Sequence, residues 1–128
     1  GQPQNWYTFS SGTRGFQYSI SFAAGSRVRA EIYIDLGDRD QNVAALEALR
    51  ADKSALEAAF GESFEWEPLD GRRACRVAAY RPGAVEDSAE SLEEYHRWSV
   101  ERLLRFKKVF GSRLPAIAVR VGEGDRAT

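Results

Sequence analysis

The chain contains few side chains that could carry catalysis or bind a metal ion. Its 128 residues include one histidine, His96, and one cysteine, Cys75. A zinc site needs several His, Cys or carboxylate ligands at suitable spacing, and a serine–histidine pair of the hydrolase type needs a G-x-S-x-G turn. Neither pattern occurs here, so we interpret Cys75 as a small core residue and His96 as a surface residue. The sequence therefore predicts no catalytic residues, no metal site and no cofactor.

Acidic side chains cluster where a predicted strand gives way to a helix. The cluster comprises Glu31, Asp35, Asp38 and Asp40. Carboxylates at a strand end can hold Mg²⁺, but a restriction-type nuclease core also needs an acid-x-Lys pattern on the adjacent strand. No predicted strand carries that pattern, because the Asp-Lys pair at 52–53 falls in a helix. We therefore favour helix capping for Asp38 and Asp40.

Basic side chains form two groups, one on a predicted sheet face and one along the last predicted helix. Arginine binds phosphate through a bidentate fork, so both groups are candidates for contact with nucleic acid. The candidate residues are Arg27, Arg29, Arg72, Arg73, Arg76, Arg105, Lys107 and Lys108. Two structural alternatives stay open: a solvated sheet face on which Arg29 or Arg76 pairs with Glu67, and cations that only stabilise a helix C-terminus.

Aromatic side chains offer a second candidate surface, for contact between proteins. Tyrosine and arginine anchor many interfaces, because they combine a large contact area with hydrogen bonding. The candidates are Trp6, Tyr7, Phe9, Tyr33 and Tyr80. Such a surface would form a homodimer or dock another domain of a parent protein.

Hydrophobic periodicity predicts the elements that position these residues. Apolar residues alternate over 5–10, 16–22 and 28–34, which indicates three antiparallel strands. A helical stripe follows and ends at Gly61, and an Asp70-Gly71 turn then joins two more strands. A long helix over 88–110 completes a domain that we bound at residues 3–114. We expect 115–128 to be an extension, with an edge strand or linker over 116–121 and then a disordered tail.

The order β-β-β-α-β-β-α predicts an α+β, two-layer sandwich. An antiparallel-rich sheet of about five strands would carry two long helices on one face. Hydrophobic content of 43% and a net charge of −1 indicate a globular domain without overall nucleic-acid charge. A single cysteine and the lack of a signal-peptide or membrane-span pattern favour the cytoplasm. Since the chain has no methionine and begins GQPQNW, we expect it to be a domain excised from a longer protein.

Four blocks of sequence, taken in order, resemble an uncharacterised bacterial and archaeal family, a "domain of unknown function". The blocks are NWYTFSSGTRGFQYSISFA, RVRAEIYID, LEAAFGESFEWEPLDGRRACRVAAYRPG and WSVERLLRFKKVFGSRL, and the resemblance covers about residues 3–114. It implies a C-terminal accessory domain that follows a PD-(D/E)XK, restriction-endonuclease-like domain in a nuclease or genome-defence protein. DNA, the nuclease-like domain of the parent chain and a second copy are the implied partners. The resemblance carries no catalytic residues over to this chain.

Overall fold

The computed structural model describes the backbone of residues 5–127 and the side chains of residues 7–123. The strands are β1 (Asn5–Ser10), β2 (Phe16–Ala23), β3 (Arg27–Ile34), β4 (Glu65–Glu67) and β5 (Cys75–Pro82). The helices are α1 (Arg39–Arg50), α2 (Lys53–Phe60), α3 (Ala89–Phe110) and α4 (Leu114–Ala127), with a 3₁₀ turn over Gly111–Arg113. This order of elements confirms the predicted α+β class.

The strands form one five-stranded antiparallel sheet in the order β1-β2-β3-β5-β4. Phe16 pairs with Ile34, and Ile32 pairs with Val77, so the apolar residues of neighbouring strands share one side of the sheet. We call this side the inner face and the opposite side the outer face. The predicted alternation on β2 and β3 is confirmed, and β4 and β5 alternate in the same way, because side chains along a strand point to the two faces in turn.

All four helices pack on the inner face and share one hydrophobic core with it. α1, α2, α3 and α4 contribute Leu46, Phe60, Phe106 and Ile117 to the cluster that contains the inner-face strand residues. The rings of Phe60 and Phe106 lie 4.8 Å apart, within the range in which aromatic side chains attract each other. The molecule is therefore the predicted two-layer sandwich, with its helices on one face of the sheet.

Two details of the central region differ from the sequence prediction. The single helix expected before Gly61 is divided at Ala51 and Asp52 into α1 and α2. Its apolar stripe continues through the break at helical spacing, so periodicity alone does not reveal it. The predicted two-residue hairpin turn is wrong, because residues 68–74 form a loop between β4 and β5 in which Asp70-Gly71 is only the local turn.

The C-terminal segment is also different, because the predicted edge strand over 116–121 is part of helix α4. Leu114 and Ile117 are buried, and Ala118 and Val121 pack partly against the same core. These positions repeat at intervals of three and four, whereas Ile117, Val119 and Val121 also alternate as in a strand. The sequence of this segment therefore fits both a helix and a strand, and its packing against α1 favours the helix.

Candidate anion-binding face of the sheet

The outer face of the sheet carries the polar and charged residues that the sequence placed there. β2 contributes Gln17, Ser19 and Ser21; β3 contributes Arg27, Arg29, Glu31 and Tyr33; β5 contributes Arg76, Ala78 and Tyr80; β4 contributes Glu65 and Glu67. Several of these side chains are buried even though the helices lie on the other side. The face is therefore a packed polar surface rather than a row of separate solvated groups.

Glu31 lies at the centre of this face and contacts two arginines. The Ser19 hydroxyl donates a 2.8 Å hydrogen bond to Oε1 of Glu31. Oε2 lies 3.4 Å from Nε of Arg29 and 3.3 Å from Nη1 of Arg76. Glu31 is 4% exposed and Arg76 is 6% exposed, so a carboxylate and a guanidinium are buried side by side.

The buried pair is not fully hydrogen-bonded. Oε2 of Glu31 and both Nε and Nη1 of Arg76 are buried and form no hydrogen bond with the described residues. Removing two charges from water costs more than their attraction returns unless the remaining polar atoms are also hydrogen-bonded. This pair therefore contributes little to the stability of the fold.

A second chain of contacts extends from Arg76 across β4 and β5. Nε of Arg76 lies 3.7 Å from Oε1 of Glu67, which confirms the predicted cross-strand pair. Arg29 pairs with Glu31 instead. Tyr80 donates a 2.6 Å hydrogen bond to Oε2 of Glu67. Burial is the main cause that raises the pKa of the Tyr80 hydroxyl, and this hydrogen bond raises it further. The guanidinium of Arg27 lies 4.0 Å above the Tyr80 ring as a cation–π pair.

These contacts form the floor and wall of an open groove of about 530 Å³ on the outer face. We call it the outer groove. Its charged and hydroxyl-bearing lining consists of Arg27, Arg29, Arg72, Arg76, Tyr80, Glu67 and Asp70. Four cations therefore meet three carboxylates, when Glu31 in the floor is counted with Glu67 and Asp70. That excess of positive charge, with Arg27 and Arg72 exposed at the rim, suits the groove to an anionic ligand.

Helix α1 holds the 68–74 loop that brings Arg72 to the groove. Asn42 is completely buried; its Oδ1 accepts a 2.6 Å hydrogen bond from the Leu36 amide, and its Nδ2 donates a 3.0 Å bond to the Arg73 carbonyl. Arg39 donates from Nη1 to the Pro68 carbonyl in the same loop. The loop is thus fixed to the start of α1 by side chains whose role the sequence did not reveal. Asn42 follows Arg39 by three positions, which places both on one side of the helix.

The predicted nucleic-acid residues do not form one surface. Arg27, Arg29, Arg72 and Arg76 meet in the outer groove, whereas Arg105, Lys107 and Lys108 lie on α3, in the other layer. Arg105 donates a 2.8 Å hydrogen bond to the Phe60 carbonyl at the end of α2.

Ion pairs within the domain occupy the arginines of α3 and of the 3₁₀ turn that follows it. Arg105 pairs with Glu101, and the other pairs are Arg97–Glu93, Arg102–Glu62 and Arg113–Asp52. Lys107 and Lys108 are exposed at the end of α3. Arg72 and Arg73 lie apart from this α3 group, since Arg72 lines the outer groove and Arg73 binds Asp35.

The aromatic candidates are also divided. Phe9 is half-buried, and its ring lies 5.6 Å from that of Tyr18 against the core, so it is not an exposed contact residue. Tyr7 on the edge strand β1 is 49% exposed. Tyr33 and Tyr80 are half-buried on the outer face, and the side chain of Trp6 lies outside the described residues.

Three of the four acidic residues that could have held a cation, Glu31, Asp35 and Asp38, have other partners. Asp38 is the N-cap of α1 and accepts a hydrogen bond from the Gln41 amide, as predicted. Asp35 binds Arg73 through a bidentate contact, and that contact holds the pKa of its carboxyl below the usual range. Over residues 7–123, no three His, Cys, Asp or Glu side chains are grouped so as to bind a metal ion.

Cys75 is completely buried, as predicted, and burial raises the pKa of its thiol. A thiol with a raised pKa is a weak nucleophile at neutral pH. Within residues 5–127, no helix combines the length and the apolar composition that crossing a membrane requires.

The family model for the domain of unknown function DUF4268 matches residues 1–114. The chain therefore belongs to this family, which confirms the predicted resemblance to an uncharacterised domain family. Helix α4 begins at the last matched residue and continues beyond it. No curated protein and no solved structure matched the chain.

Proposed function

We propose that this domain is a non-catalytic accessory domain that helps a larger nuclease-like or genome-defence protein engage DNA. The observation that supports this function is the outer groove, where Arg27, Arg29, Arg72 and Arg76 converge from two strands and a loop. Along the chain these residues are spread from Arg27 to Arg76, and the fold brings them together. Their convergence matters because phosphate contacts dominate the affinity of proteins for nucleic acids.

The four arginines differ in their availability to a ligand. Arg27 and Arg72 are exposed, and no carboxylate among the described residues pairs with either of them. Arg29 and Arg76 are held against Glu31 in the floor of the groove. A phosphate entering the groove would therefore be bound first by the rim and would then add a partner to Arg76, whose Nε and Nη1 form no hydrogen bond with the described residues.

The nuclease-like parent is a separate part of the proposal, and it rests on the resemblance of the four sequence blocks. Reading the coding sequence upstream of this domain tests it. We expect the upstream sequence to contain an acidic residue on one predicted strand and an acid-x-Lys motif on the neighbouring strand. We also expect the parent protein to be cytoplasmic. An unrelated upstream domain would remove the nuclease context and leave the groove to be tested on its own.

Fluorescence anisotropy with a labelled DNA oligonucleotide at about 50 mM salt tests binding by the groove, since low salt strengthens phosphate contacts. The groove variant combines Arg27→Ala with Arg72→Ala. A matched control combines Lys107→Ala with Lys108→Ala, which removes the same charge from exposed positions on α3. We expect the groove variant to bind at least tenfold more weakly than wild type, and the control to stay within about threefold.

Failure of the wild-type domain to bind DNA at this salt concentration would refute the proposal. Equal losses in the groove variant and the α3 control would show general electrostatic attraction rather than binding by the groove. A greater loss in the α3 control would move the site to the other layer. Each variant is first compared with wild type by circular dichroism, so that misfolding is not mistaken for lost binding.

An interaction module is the second candidate function, and the edge strand β1 favours it. β1 is an edge strand of the sheet. Its exposed Tyr7 lies beside Phe9, with 5.3 Å between the ring centroids. An open strand edge with an exposed aromatic residue can pair with a second chain. Light scattering over a concentration series tests the homodimer form, and a constant monomer mass would contradict it.

A further inference from the structure

The geometry of the outer face points to single-stranded DNA, with its bases unpaired and stacked near Tyr33 and Tyr80, as the form of nucleic acid that the groove binds. This inference rests on the proposed function and specifies its ligand. It follows from the depth of the cations, from the placement of the two tyrosines and from the charge between them.

The groove cations lie too deep to contact a double helix together. The side chain of Arg76 is 7% exposed and that of Arg29 is 18% exposed, so a ligand must enter the groove to reach them. A duplex is a rigid cylinder, and proteins read it with a protruding helix or β-ribbon that enters its major groove. Here the protein surface is concave, so a duplex would touch only rim residues such as Arg27 and Arg72. A single strand can follow the floor.

Two aromatic positions flank the buried charges. Tyr33 lines a second hollow of about 330 Å³ with Gly15, Gln17 and Asp35. Tyr80 lines the outer groove and is the register partner of Arg29, which precedes Tyr33 by four residues on β3. At strand spacings, the two tyrosines are about 14 Å apart.

That separation is about four times the 3.4 Å rise between neighbouring bases in a duplex strand, so bases seated at the two tyrosines are not neighbours along the strand. A base inside a duplex is already stacked on its neighbours, so a base that stacks on Tyr33 or Tyr80 must be unpaired. Stacking on tyrosine or on a guanidinium plane is how proteins commonly bind such bases. At Tyr80 one ring face is occupied by Arg27, whose exposed guanidinium presents a plane of that kind.

The charge between the tyrosines suits the backbone that would link the two bases. Arg76 faces Tyr33 across the β3–β5 pair, and Arg29 faces Tyr80 in the same way. Each tyrosine thus has a cation directly across the β3–β5 pair, and Glu31 lies between the two pairs and offsets part of their charge. A bound strand can therefore place a phosphate beside each stacked base. Asp35 does not oppose this charge, since Arg73 neutralises it.

Anisotropy titrations with three labelled DNA ligands test the inference on the wild-type chain. The ligands are a mixed-sequence 12-nucleotide strand, its blunt duplex, and a 12-nucleotide strand of equal charge whose bases are replaced by abasic sites. We expect the intact strand to bind at least tenfold more tightly than the duplex. It should also bind at least fivefold more tightly than the abasic strand, because stacking adds to the phosphate contacts.

Tyr33→Leu should weaken binding of the intact strand by about five- to hundredfold, the range for loss of one base–aromatic stack. The same change should leave binding of the abasic strand within about twofold, which a general loss of fold would not do. Tyr7→Leu is the matched control, because Tyr7 is an exposed tyrosine on β1, and we expect no change in affinity for the intact strand.

The outcomes separate this inference from the proposed function. Equal or tighter binding of the duplex would overturn the single-strand inference and leave DNA binding by the groove intact. Equal binding of the intact and abasic strands would also overturn it, because the tyrosines would then add nothing. Binding of none of the three ligands would refute the proposed function itself, and the inference with it.

Discussion

Replacing Arg76 by methionine should lower the free energy of unfolding by about 3 kcal/mol. The change leaves the Glu31 carboxylate buried without one of its two cations, and breaking a buried ion pair from one side costs about 3–5 kcal/mol. The lower end of the range applies here, because Arg29 remains 3.4 Å from the same oxygen. Glu31→Met should cost less, about 2 kcal/mol, since Arg76 keeps Glu67 at 3.7 Å.

The double variant Glu31→Met, Arg76→Met should recover most of this loss. Apolar side chains of similar volume often replace a buried pair at little cost or with a gain in stability, and the atoms that lack hydrogen bonds here favour that result. We expect the double variant to be within about 1 kcal/mol of wild type, which against single costs of about 3 and about 2 kcal/mol gives a coupling energy of about 4 kcal/mol.

Urea unfolding followed by tryptophan fluorescence measures these free energies, since the chain contains three tryptophans. Arg72→Met is the matched control, because Arg72 lines the same groove from an exposed position and its loss should leave the midpoint unchanged. A cost below about 1 kcal/mol for Arg76→Met would refute the reasoning. Strictly additive losses in the double variant would refute it as well.

The double variant also separates stability from function. If the charged cluster is retained because it binds DNA, the double variant will fold as well as wild type and bind DNA at least tenfold more weakly. Wild-type affinity in a stable double variant would show that binding does not depend on the buried charges.

Three further predictions concern the contacts that hold the domain together. Asn42→Ala should cost about 2–4 kcal/mol by leaving the buried Leu36 amide and the partly buried Arg73 carbonyl unpaired; urea unfolding measures this, and a loss below about 1 kcal/mol would contradict it. Gly83→Ala should cost about 1–3 kcal/mol, because a Cβ there would lie 2.7 Å from the Tyr95 ring; an unchanged melting temperature would argue against this close packing. The lowered pKa of Asp35 stabilises the fold above about pH 5, and this contribution is lost as the pH falls through its folded pKa. Arg73→Leu should therefore flatten the acid side of the melting profile below pH 5, and an unchanged profile would show that the ion pair is not the cause.

The sheet and its faces were predictable because local patterns determine them. Strict alternation from Phe16 to Ile34 fixes which residues share a face, and a one-residue shift in register would expose the whole apolar set. Capping by Asp38 and the left-handed Gly61 were also predictable, because each position needs a side chain or a backbone freedom that few residues offer.

The buried state of the outer-face charges was not predictable from the same patterns. Alternation assigns Glu31 and Arg76 to the outer face, but it does not show that these two side chains are buried among other residues of that face. Their burial depends on the strand order of the sheet, in which β5 pairs with β3. The separation of Arg105 from Arg29 depends likewise on which face of the sheet α3 covers, which is a tertiary property.

The central claim is that arginines in the outer groove bind DNA phosphates, and the salt dependence of affinity tests it most directly. Affinity for the labelled single strand is measured between about 50 and 200 mM salt for wild type, the groove variant and the α3 control. Two to four phosphate contacts predict a slope of log K against log salt of about −1.4 to −2.8, and loss of Arg27 and Arg72 should make it shallower by about 1.4. The Lys107 and Lys108 control should keep the wild-type slope. The same slope in wild type and the groove variant would contradict the account.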